Sequence, residues 1–393
     1  MQIESVDFFY LSMPVVTTDA DGSQDALLVR VAAGGLVGYG ECEAAPLPSI
    51  AAFVCPMSHG ACQPVATSVL GQRLDSVQDI AAISASVAYN SMDVLQAAHT
   101  YSGVEMALWD VLGKARGEPA WKLLGYTASH PKTPYASLLF GDTAQQTLER
   151  GRAERQRGFQ AVKFGWGAIG RGTVQQDADH FFAAREAIGT DGILLVDVGT
   201  IFVDDLERAA LRLDALQQAR ATWLEEPFHA SALEQYAALA RRSGSVRIAG
   251  GEGAHNVSMA RHLIDYGGIG YVQIDCGRIG GLGPAKQVAD HAVARGVTYV
   301  NHTFTSHLAL SASMQPFAGL ADHHICEYPV QLKALAVELT RNHLDLDPHG
   351  QVAAPDAPGL GIDIDAAAVA RYQQDVEIRV GGKTLYASPV FGE

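Results

Sequence analysis

The hydrophobic pattern of the chain changes character near residue 130. Before that point, apolar and polar positions alternate over residues 3–13 and 26–31, and the polar run 17–24 separates the two stretches. This pattern predicts two antiparallel strands joined by a long loop. In residues 104–114 the apolar positions recur at i, i+3 and i+4, which predicts a helix. Residues 1–130 are therefore expected to form an α+β domain.

From residue 133 onwards, short runs of β-forming residues alternate with amphipathic helical stretches. Such alternation is typical of βα units around a parallel sheet. Eight runs share this character: residues 133–140, 160–165, 193–197, 222–226, 246–252, 271–275, 297–302 and 323–328. The sequence therefore predicts an α/β barrel over residues 131–350.

Most of these predicted strands carry an ionisable side chain at or near their carboxyl ends. The residues are Lys163, Asp197, Glu225, Glu252, Asp275, His302 and Glu327. From Asp197 onwards the intervals between them are 23 to 28 residues, about the length of one βα unit. Because the carboxyl ends of barrel strands converge on one mouth, these side chains are expected to form one site.

Three consecutive predicted strands end in carboxylates, at Asp197, Glu225 and Glu252. For any one of them alone, the alternative is an acidic residue that favours the start of the next helix. Three anions at one mouth repel each other unless a cation lies between them, and an all-oxygen set favours Mg²⁺ or Mn²⁺ over zinc. We interpret the three residues as a metal site.

The next two predicted strands end in Asp275 and His302. An aspartate bonded to one ring nitrogen fixes the tautomer and raises the basicity of the other nitrogen, which suits a general base. A buried histidine that is merely satisfied by an aspartate is the alternative. Glu327 is predicted to contact a substrate oxygen, or else to serve in a cap or ion pair. Lys163 is predicted to pair with a substrate carboxylate, or else with the three acids.

The order of these residues resembles the enolase superfamily, and within it the mandelate racemase-like subgroup. The resemblance covers almost the whole chain and includes residues 102–114, Trp223-Leu224-Glu225-Glu226-Pro227, Gly251-Glu252-Gly253 and the tail residues 355–362. It implies a modified TIM barrel of the (β/α)₇β type, capped by the N-terminal domain. Residues 351–393 are expected to pack back on that capping domain.

Such enzymes use Mg²⁺ to stabilise the enediolate that forms when the proton α to a carboxylate is removed. The resemblance implies a small-molecule carboxylate substrate. The implied metal ligands are Asp197, Glu225 and Glu252, and the implied catalytic residues are His302, Asp275, Lys163 and Glu327. Trp166 and His255 are expected to contact the substrate, with a core position as the alternative for Trp166.

One position departs from the family pattern and bears on the reaction. The subgroup commonly has two lysines one residue apart on the second barrel strand, whereas the second position here is Gly165. Racemisation needs acid–base groups on both faces of a planar enediolate, and only His302 is clearly available. We therefore predict a hydro-lyase that eliminates the β-hydroxyl of a polyhydroxy (sugar) acid to give a 2-keto-3-deoxy acid. An epimerase, racemase or lactone cycloisomerase, and a non-catalytic metal- or ligand-binding homologue, are the alternatives.

Composition narrows the expected partners. The 393 residues include 28 Lys+Arg and 43 Asp+Glu, a net charge of −15, without any basic block. Nucleic acid and anionic membranes are therefore not expected partners. No stretch approaches the roughly 18 uninterrupted apolar residues of a membrane span, and residues 1–10 lack a signal-peptide pattern. We expect a cytoplasmic homo-oligomer, because the family often forms symmetric assemblies.

Two loops and one cysteine cluster complete the sequence-based expectations. Loops 17–24 and 44–62 are expected to close over the barrel mouth and to contribute to substrate choice. The five cysteines are scattered and odd in number, which indicates free thiols. Cys55, His59 and Cys62 lack a convincing fourth ligand, so we favour an ordinary loop over a zinc site.

Overall fold

The computed structural model describes residues 1–43 and 45–391. The start of the predicted loop 44–62, at Ala44, and the end of the predicted segment 351–393, at Gly392 and Glu393, lie outside the described residues.

The N-terminal part is a three-stranded antiparallel sheet covered by helices. Its strands are β1 (Ile3–Ser12), β2 (Asp25–Ala33) and β3 (Leu36–Cys42), in the order β1-β2-β3. The predicted strand pair is present, whereas the sequence pattern missed β3. The helices are α1 (Pro46–Val54), α2 (Ala66–Val69), α3 (Val77–Asn90), α4 (Ala97–Arg116) and α5 (Ala120–Leu123), with a short 3₁₀ helix at Gly22–Gln24.

Helix α4 contains the predicted helix 104–114 and lies directly on β3. Glycines allow this close approach, because a Cβ at Gly40 would lie 2.0 Å from the carbonyl oxygen of Gly103 on α4. The strand that leads into the barrel mouth is thus packed against the backbone of the main capping helix.

Eight parallel strands form the barrel, which confirms the predicted fold class. They are β4 (Thr133–Leu139), β5 (Ala161–Gly165), β6 (Ile193–Asp197), β7 (Ala221–Glu225), β8 (Arg247–Gly250), β9 (Tyr271–Asp275), β10 (Thr298–His302) and β11 (Ile325–Pro329). Their order in the sheet is β10-β9-β8-β7-β6-β5-β4-β11. Each overlaps one predicted strand, and predicted and observed carboxyl ends differ by at most two residues. The difference matters at Glu252, which lies in the turn after β8 rather than at the end of the strand.

The last gap in the barrel, between β10 and β11, is bridged by a side chain. Asn301 Oδ1 accepts a hydrogen bond from the backbone N–H of Glu327 at 2.9 Å, and its Nδ2 donates to the carbonyl of Glu327 at 3.3 Å. The amide of Asn301 therefore replaces one step of a strand ladder and keeps Glu327 level with His302, the neighbour of Asn301 on β10.

Helices surround the barrel, and the tail returns to the N-terminal domain. The helices are α6 (Ala144–Gln156), α7 (Val174–Ile188), α8 (Leu206–Ala210), α9 (Leu213–Gln218), α10 (Leu233–Arg242), α11 (Val257–Tyr266), α12 (Leu282–Arg295), α13 (His307–Met314), α14 (Ala334–Glu338) and α15 (Ala366–Tyr372), with a 3₁₀ helix at Gln315–Phe317 and a final hairpin of β12 (Glu377–Val380) and β13 (Lys383–Ala387). In the tail, the N–H of Leu360 donates to Asp110 Oδ1 on α4 at 2.9 Å. No helix within residues 1–43 or 45–391 has the length and apolarity needed to cross a bilayer.

Candidate active site

The ionisable residues predicted at the strand ends meet at the carboxyl end of the barrel. In the sheet register Asp197 pairs with Glu225, and His302 pairs with Asp275, so the members of each pair lie at the same height. Lys163 lies two residues before the end of β5 and therefore one layer deeper. All five side chains are buried.

Lys163 is held by carboxylates at the floor of this mouth. Its Nζ lies 2.8 Å from Glu225 Oε1, 2.9 Å from Glu327 Oε1 and 3.9 Å from Asp197 Oδ2. Burial alone would lower the pKa of Lys163, but Glu225 and Glu327 outweigh it and hold the pKa well above its usual value. In this arrangement Lys163 is a permanent cation rather than a proton acceptor, and it neutralises part of the negative charge of the surrounding carboxylates.

Glu327 is fixed between the lysine and the histidine. Its Oε1 also accepts a hydrogen bond from Ser137 Oγ at 2.8 Å, and its Oε2 accepts one from the backbone N–H of Thr303 at 2.8 Å. Glu327 Oε2 lies 4.0 Å from His302 Nε2. A substrate oxygen placed above Lys163 would therefore contact the Glu327 carboxylate, whose orientation these hydrogen bonds fix.

His302 and Asp275 form the predicted pair. His302 Nδ1 lies 2.7 Å from Asp275 Oδ2, while Asp275 Oδ1 accepts a hydrogen bond from the backbone N–H of Gly277 at 2.6 Å. The other ring nitrogen, Nε2, lies 3.0 Å from Glu252 Oε2. Burial would lower the pKa of His302, but Glu252, Glu327 and the bond to Asp275 raise it to about 10. The imidazole can act as a base only once the charge of Glu252 is neutralised by another group.

An ion-pair chain from the capping domain to Glu252 was missed by the sequence reasoning. Arg278 NH1 lies 3.2 Å from Glu252 Oε1, and Arg278 NH2 lies 3.2 Å from Glu43 Oε1. Arg278 comes three residues after Asp275, the end of β9. This closeness to a strand end is the feature of the sequence that could have placed Arg278 at the mouth. Glu43 follows β3, the strand that the alternation pattern did not detect. Burial, and then Asp275, raise the pKa of Glu43 to about 7.

Glu226 is a further carboxylate of the mouth, and its position next to Glu225 could have suggested it. Its backbone has a φ of 42°, in the left-handed region that non-glycine residues seldom adopt. Burial, and then Glu252 and Glu225, raise the pKa of Glu226 to about 8. Strained backbone of this kind is typically retained where a side chain must be aimed at a site.

A cavity of about 260 Å³ lies above these groups. Of the predicted site residues, it is lined by Lys163, Asp197, Glu252, His302, Glu327 and Trp166. Loop 17–24 contributes Ala20, Asp21 and Gly22, whereas the described part of loop 44–62 lines neither this cavity nor the wider one outside it. The first predicted cap loop thus reaches the mouth, whereas residues 45–62 of the second do not.

His255 is not brought to this cavity. Its Nδ1 lies 2.8 Å from His99 Nε2 on α4, at an exposed position between the barrel and the capping domain. Trp166, by contrast, lines the cavity and is 42% exposed, so it is not a core residue.

The carboxylates are not gathered around one point as the side chains stand. In the part of the chain that the structure describes, no three His, Cys, Asp or Glu side chains converge closely enough to hold a metal ion. Glu225 Oε1 is paired with Lys163, and the two carboxylate oxygens of Glu252 are paired with Arg278 and His302. In the cysteine loop, His59 Nε2 lies 3.4 Å from Asp93 Oδ2.

The charge and chemistry of the mouth nevertheless fit a divalent cation. Burial raises the pKa of Asp197 well above its usual value, and the neighbouring Glu225 and Glu252 raise it further. With Glu226, four carboxylates lie together here, against the permanent cations Lys163 and Arg278. A hard cation among these oxygens would relieve the repulsion, and oxygen donors are those that Mg²⁺ prefers.

Comparison with known proteins agrees with the fold. Residues 146–368 match the family model described as enolase C-terminal domain-like. Residues 10–125 match the mandelate racemase / muconate lactonizing enzyme N-terminal domain. The barrel and its cap therefore both match models of one superfamily.

Individual relatives include enzymes that act on sugar acids and their lactones. The chain is 27% identical over 357 residues to D-galactarolactone cycloisomerase of Agrobacterium fabrum, covering 86% of this chain and 88% of that protein. It is 26% identical to arabinonate dehydratase of Saccharolobus solfataricus, covering 67% of this chain and 69% of that enzyme. A crystal structure from Rhodobacter sphaeroides, described as a predicted mandelate racemase, is 66% identical, covers 99% of both chains and superimposes with a TM-score of 0.96. The chain belongs to the enolase superfamily, in its mandelate racemase-like subgroup.

Proposed function

We propose that this protein is a magnesium-dependent dehydratase of a sugar acid. It removes the proton α to the carboxylate and eliminates the β-hydroxyl, which gives a 2-keto-3-deoxy acid. The observation that carries the proposal is the one-sided placement of acid–base groups. His302, with Asp275 bonded behind it, lines one wall of the cavity, while Gly165 on the β5 side offers no base.

The acidic mouth supplies the binding groups. Asp197, Glu225 and Glu252 would hold Mg²⁺, or Mn²⁺, which supplies positive charge where the substrate carboxylate gains negative charge in the transition state. Lys163 adds a second positive charge from below that position. Glu327, fixed by its own hydrogen bonds, orients a substrate oxygen beside Lys163.

The proton transfers are assigned to His302. His302 Nε2 accepts the α-proton, while Nδ1 stays bonded to Asp275. A cation held by Glu252 would neutralise the carboxylate that now lies 3.0 Å from Nε2. The same imidazole then returns this proton to the departing β-hydroxide, which leaves as water. The resulting enol becomes the keto acid without further help, so that one base is sufficient for the whole reaction.

A screen of sugar acids with Mg²⁺ tests this proposal. The expected result is a 2-keto acid from at least one substrate, with turnover lost after removal of the metal by a chelator and restored by Mg²⁺. The variant Glu225→Gln is expected to lose turnover and weaken Mg²⁺ binding while it stays folded. Unchanged metal titration in this variant would show that Glu225 is not a ligand. A library in which no acid forms a keto product or exchanges its α-proton in D₂O would favour a non-catalytic binding protein.

Cycloisomerisation of a sugar lactone is the second candidate, favoured by the similarity to D-galactarolactone cycloisomerase over most of both chains. The chemistry differs only in the leaving group, because a lactone ring oxygen in the β-position can depart after the same proton abstraction. The mass of the product separates the two reactions: dehydration lowers it by one water, whereas cycloisomerisation leaves it unchanged.

A further inference from the structure

A second, wider cavity continues outwards from the candidate site. It has a volume of about 910 Å³ and shares five lining residues with the inner cavity: Ala20, Asp21, Leu139, Trp166 and Phe304. The two cavities therefore adjoin, and we call their shared boundary, where Trp166 and Phe304 lie, the neck. A substrate that reacts beside His302 and is longer than the inner cavity would extend into the outer cavity.

Three cationic side chains line this outer cavity, and they differ in how far they are already used. Lys333 Nζ lies 3.4 Å from Asp21 Oδ2. Arg150 NH1 donates to the carbonyls of Leu139 and Phe140, both at 2.9 Å, and this holds the guanidinium against the end of β4. Arg171 is exposed, and in the described residues no carboxylate lies within ion-pair distance of it. Of the three, Arg171 is therefore the cation whose guanidinium is most available to bind an anion.

The acids of the outer cavity do not cancel this capacity. Asp21 is committed to Lys333 and to the backbone N–H of Ser23, at 2.9 Å. Asp19 accepts a hydrogen bond from Thr17 Oγ1 at 2.7 Å. Asp142 also lines the cavity but forms no ion pair with Arg171.

The backbone that carries Arg171 is held firmly. The N–H of the preceding residue, Gly170, donates to the buried Asp177 Oδ1 at 3.0 Å, and the carbonyl of Gly170 accepts a hydrogen bond from Arg208. The same β5–α7 loop carries Trp166, whose ring lies so close to Gly199 that a Cβ there would be 2.5 Å from it. Trp166 of the neck and Arg171 thus lie on one anchored loop, which begins directly after Gly165.

We propose that the outer cavity is a subsite for a second carboxylate of the substrate, bound by Arg171 with Arg150 beside it. A guanidinium matches a carboxylate in shape and charge, and it can form two parallel hydrogen bonds to it. The substrate is then a sugar diacid rather than a monoacid. This inference rests on the proposed function, since it places the reacting carboxylate in the inner cavity.

The test compares a six-carbon sugar diacid with the monoacid of the same configuration, in the presence of Mg²⁺. Arg171→Gln should lower kcat/KM for the diacid by about tenfold or more, mainly through KM, and leave the monoacid unaffected. Arg171→Lys should restore part of the loss. Arg241→Gln is the matched control, because Arg241 is an exposed arginine on α10 outside both cavities. An unchanged ratio of diacid to monoacid kcat/KM in Arg171→Gln would overturn the subsite.

Calorimetric binding of both acids separates failure of the subsite from failure of the proposed reaction. If neither acid is turned over, but the diacid binds more tightly and this preference disappears in Arg171→Gln, the reaction is wrong and the subsite stands. If acids are dehydrated with a selectivity that does not depend on position 171, the reaction stands and the subsite is wrong.

Discussion

Gly165 determines how much space the candidate metal site has. A Cβ at this position would lie 2.9 Å from Asp197 Oδ2, which is closer than van der Waals contact allows. Asp197 cannot easily retreat, because its Oδ1 accepts a hydrogen bond from the N–H of Gly199 at 2.8 Å. The glycine therefore gives room to Asp197 at the place where a second lysine would otherwise stand.

Gly165→Ala is expected to weaken Mg²⁺ binding severalfold while the fold is retained, because the added methyl displaces one carboxylate oxygen. Isothermal titration with Mg²⁺ and thermal unfolding provide the two readouts. Gly60→Ala is the control, since a Cβ there has no neighbour within 4 Å. Equal Mg²⁺ affinity in Gly165→Ala and the wild type would mean that Asp197 Oδ2 does not bind the metal.

His302→Asn is expected to abolish both α-proton exchange and dehydration, because no other base reaches the substrate from that wall. Asp275→Asn should lower the rate by ~10²–10⁴, since the tautomer of His302 is no longer fixed. Lys163→Met should reduce turnover but keep exchange detectable, because the lysine contributes charge rather than proton abstraction. NMR of recovered substrate in D₂O measures exchange. Exchange at the wild-type rate in His302→Asn would move the base to Lys163.

The sequence predicts the strand-end residues well and the loop residues poorly, for a physical reason. Residues such as Asp275 and His302 follow a strand pattern, and the barrel geometry then brings them together. Arg278 lies in an irregular loop, and its partner Glu43 is 235 residues away on another domain. No periodicity fixes where such side chains point. For the same reason the sequence could not show that His255 faces His99 instead of the cavity.

At the scale of elements, helix α4 joins the cap to the barrel through one buried carboxylate. Glu105 on α4 accepts hydrogen bonds from the backbone N–H groups of Leu282 (2.6 Å) and Gly283 (2.9 Å), at the start of α12. Trp109 Nε1 donates to the same carboxylate at 2.7 Å. Because the first N–H groups of a helix have no partner within it, Glu105 completes α12 from another domain.

Glu105→Gln should lower the free energy of unfolding by about 1–3 kcal/mol, because an amide nitrogen cannot accept the hydrogen bond that one carboxylate oxygen now receives. Chemical denaturation measures the change. The exposed Glu149→Gln on α6 should have almost no effect and serves as the control. A Glu105→Gln protein as stable as the wild type would show that the carboxylate is not needed at this joint.

The sequence pattern locates the strands but does not fix where each of them ends. Residues 246–252 read as one strand, yet β8 ends at Gly250, and Gly251 adopts a φ of 130° that turns the chain before Glu252. The strand β3 was missed because Gly38 and Gly40 interrupt its apolar pattern. Those glycines are required by the close approach of α4, a tertiary contact that the local sequence does not display.

At the scale of the whole molecule, the cap adds buried negative charge to an already acidic barrel mouth. Glu41 on β3 is 1% exposed and accepts a hydrogen bond from Ser306, the residue before α13. Burial raises the pKa of Glu41 from 4.5 to about 7, and the nearby Asp275 adds to the increase. Assembly of cap and barrel thus favours the protonated form of this carboxyl group.

This shift predicts how stability depends on pH. Because the pKa of Glu41 is higher in the folded than in the unfolded chain, its contribution is fully present below about pH 4.5 and is lost as the pH rises to about 7. Over that window the wild type should therefore lose up to about 3 kcal/mol of unfolding free energy relative to Glu41→Gln, which has no proton to release. Urea unfolding of both proteins across the window measures the difference, with Glu149→Gln as an exposed control expected to follow the wild type. Parallel pH profiles for Glu41→Gln and the wild type would show that folding leaves the proton affinity of Glu41 unchanged.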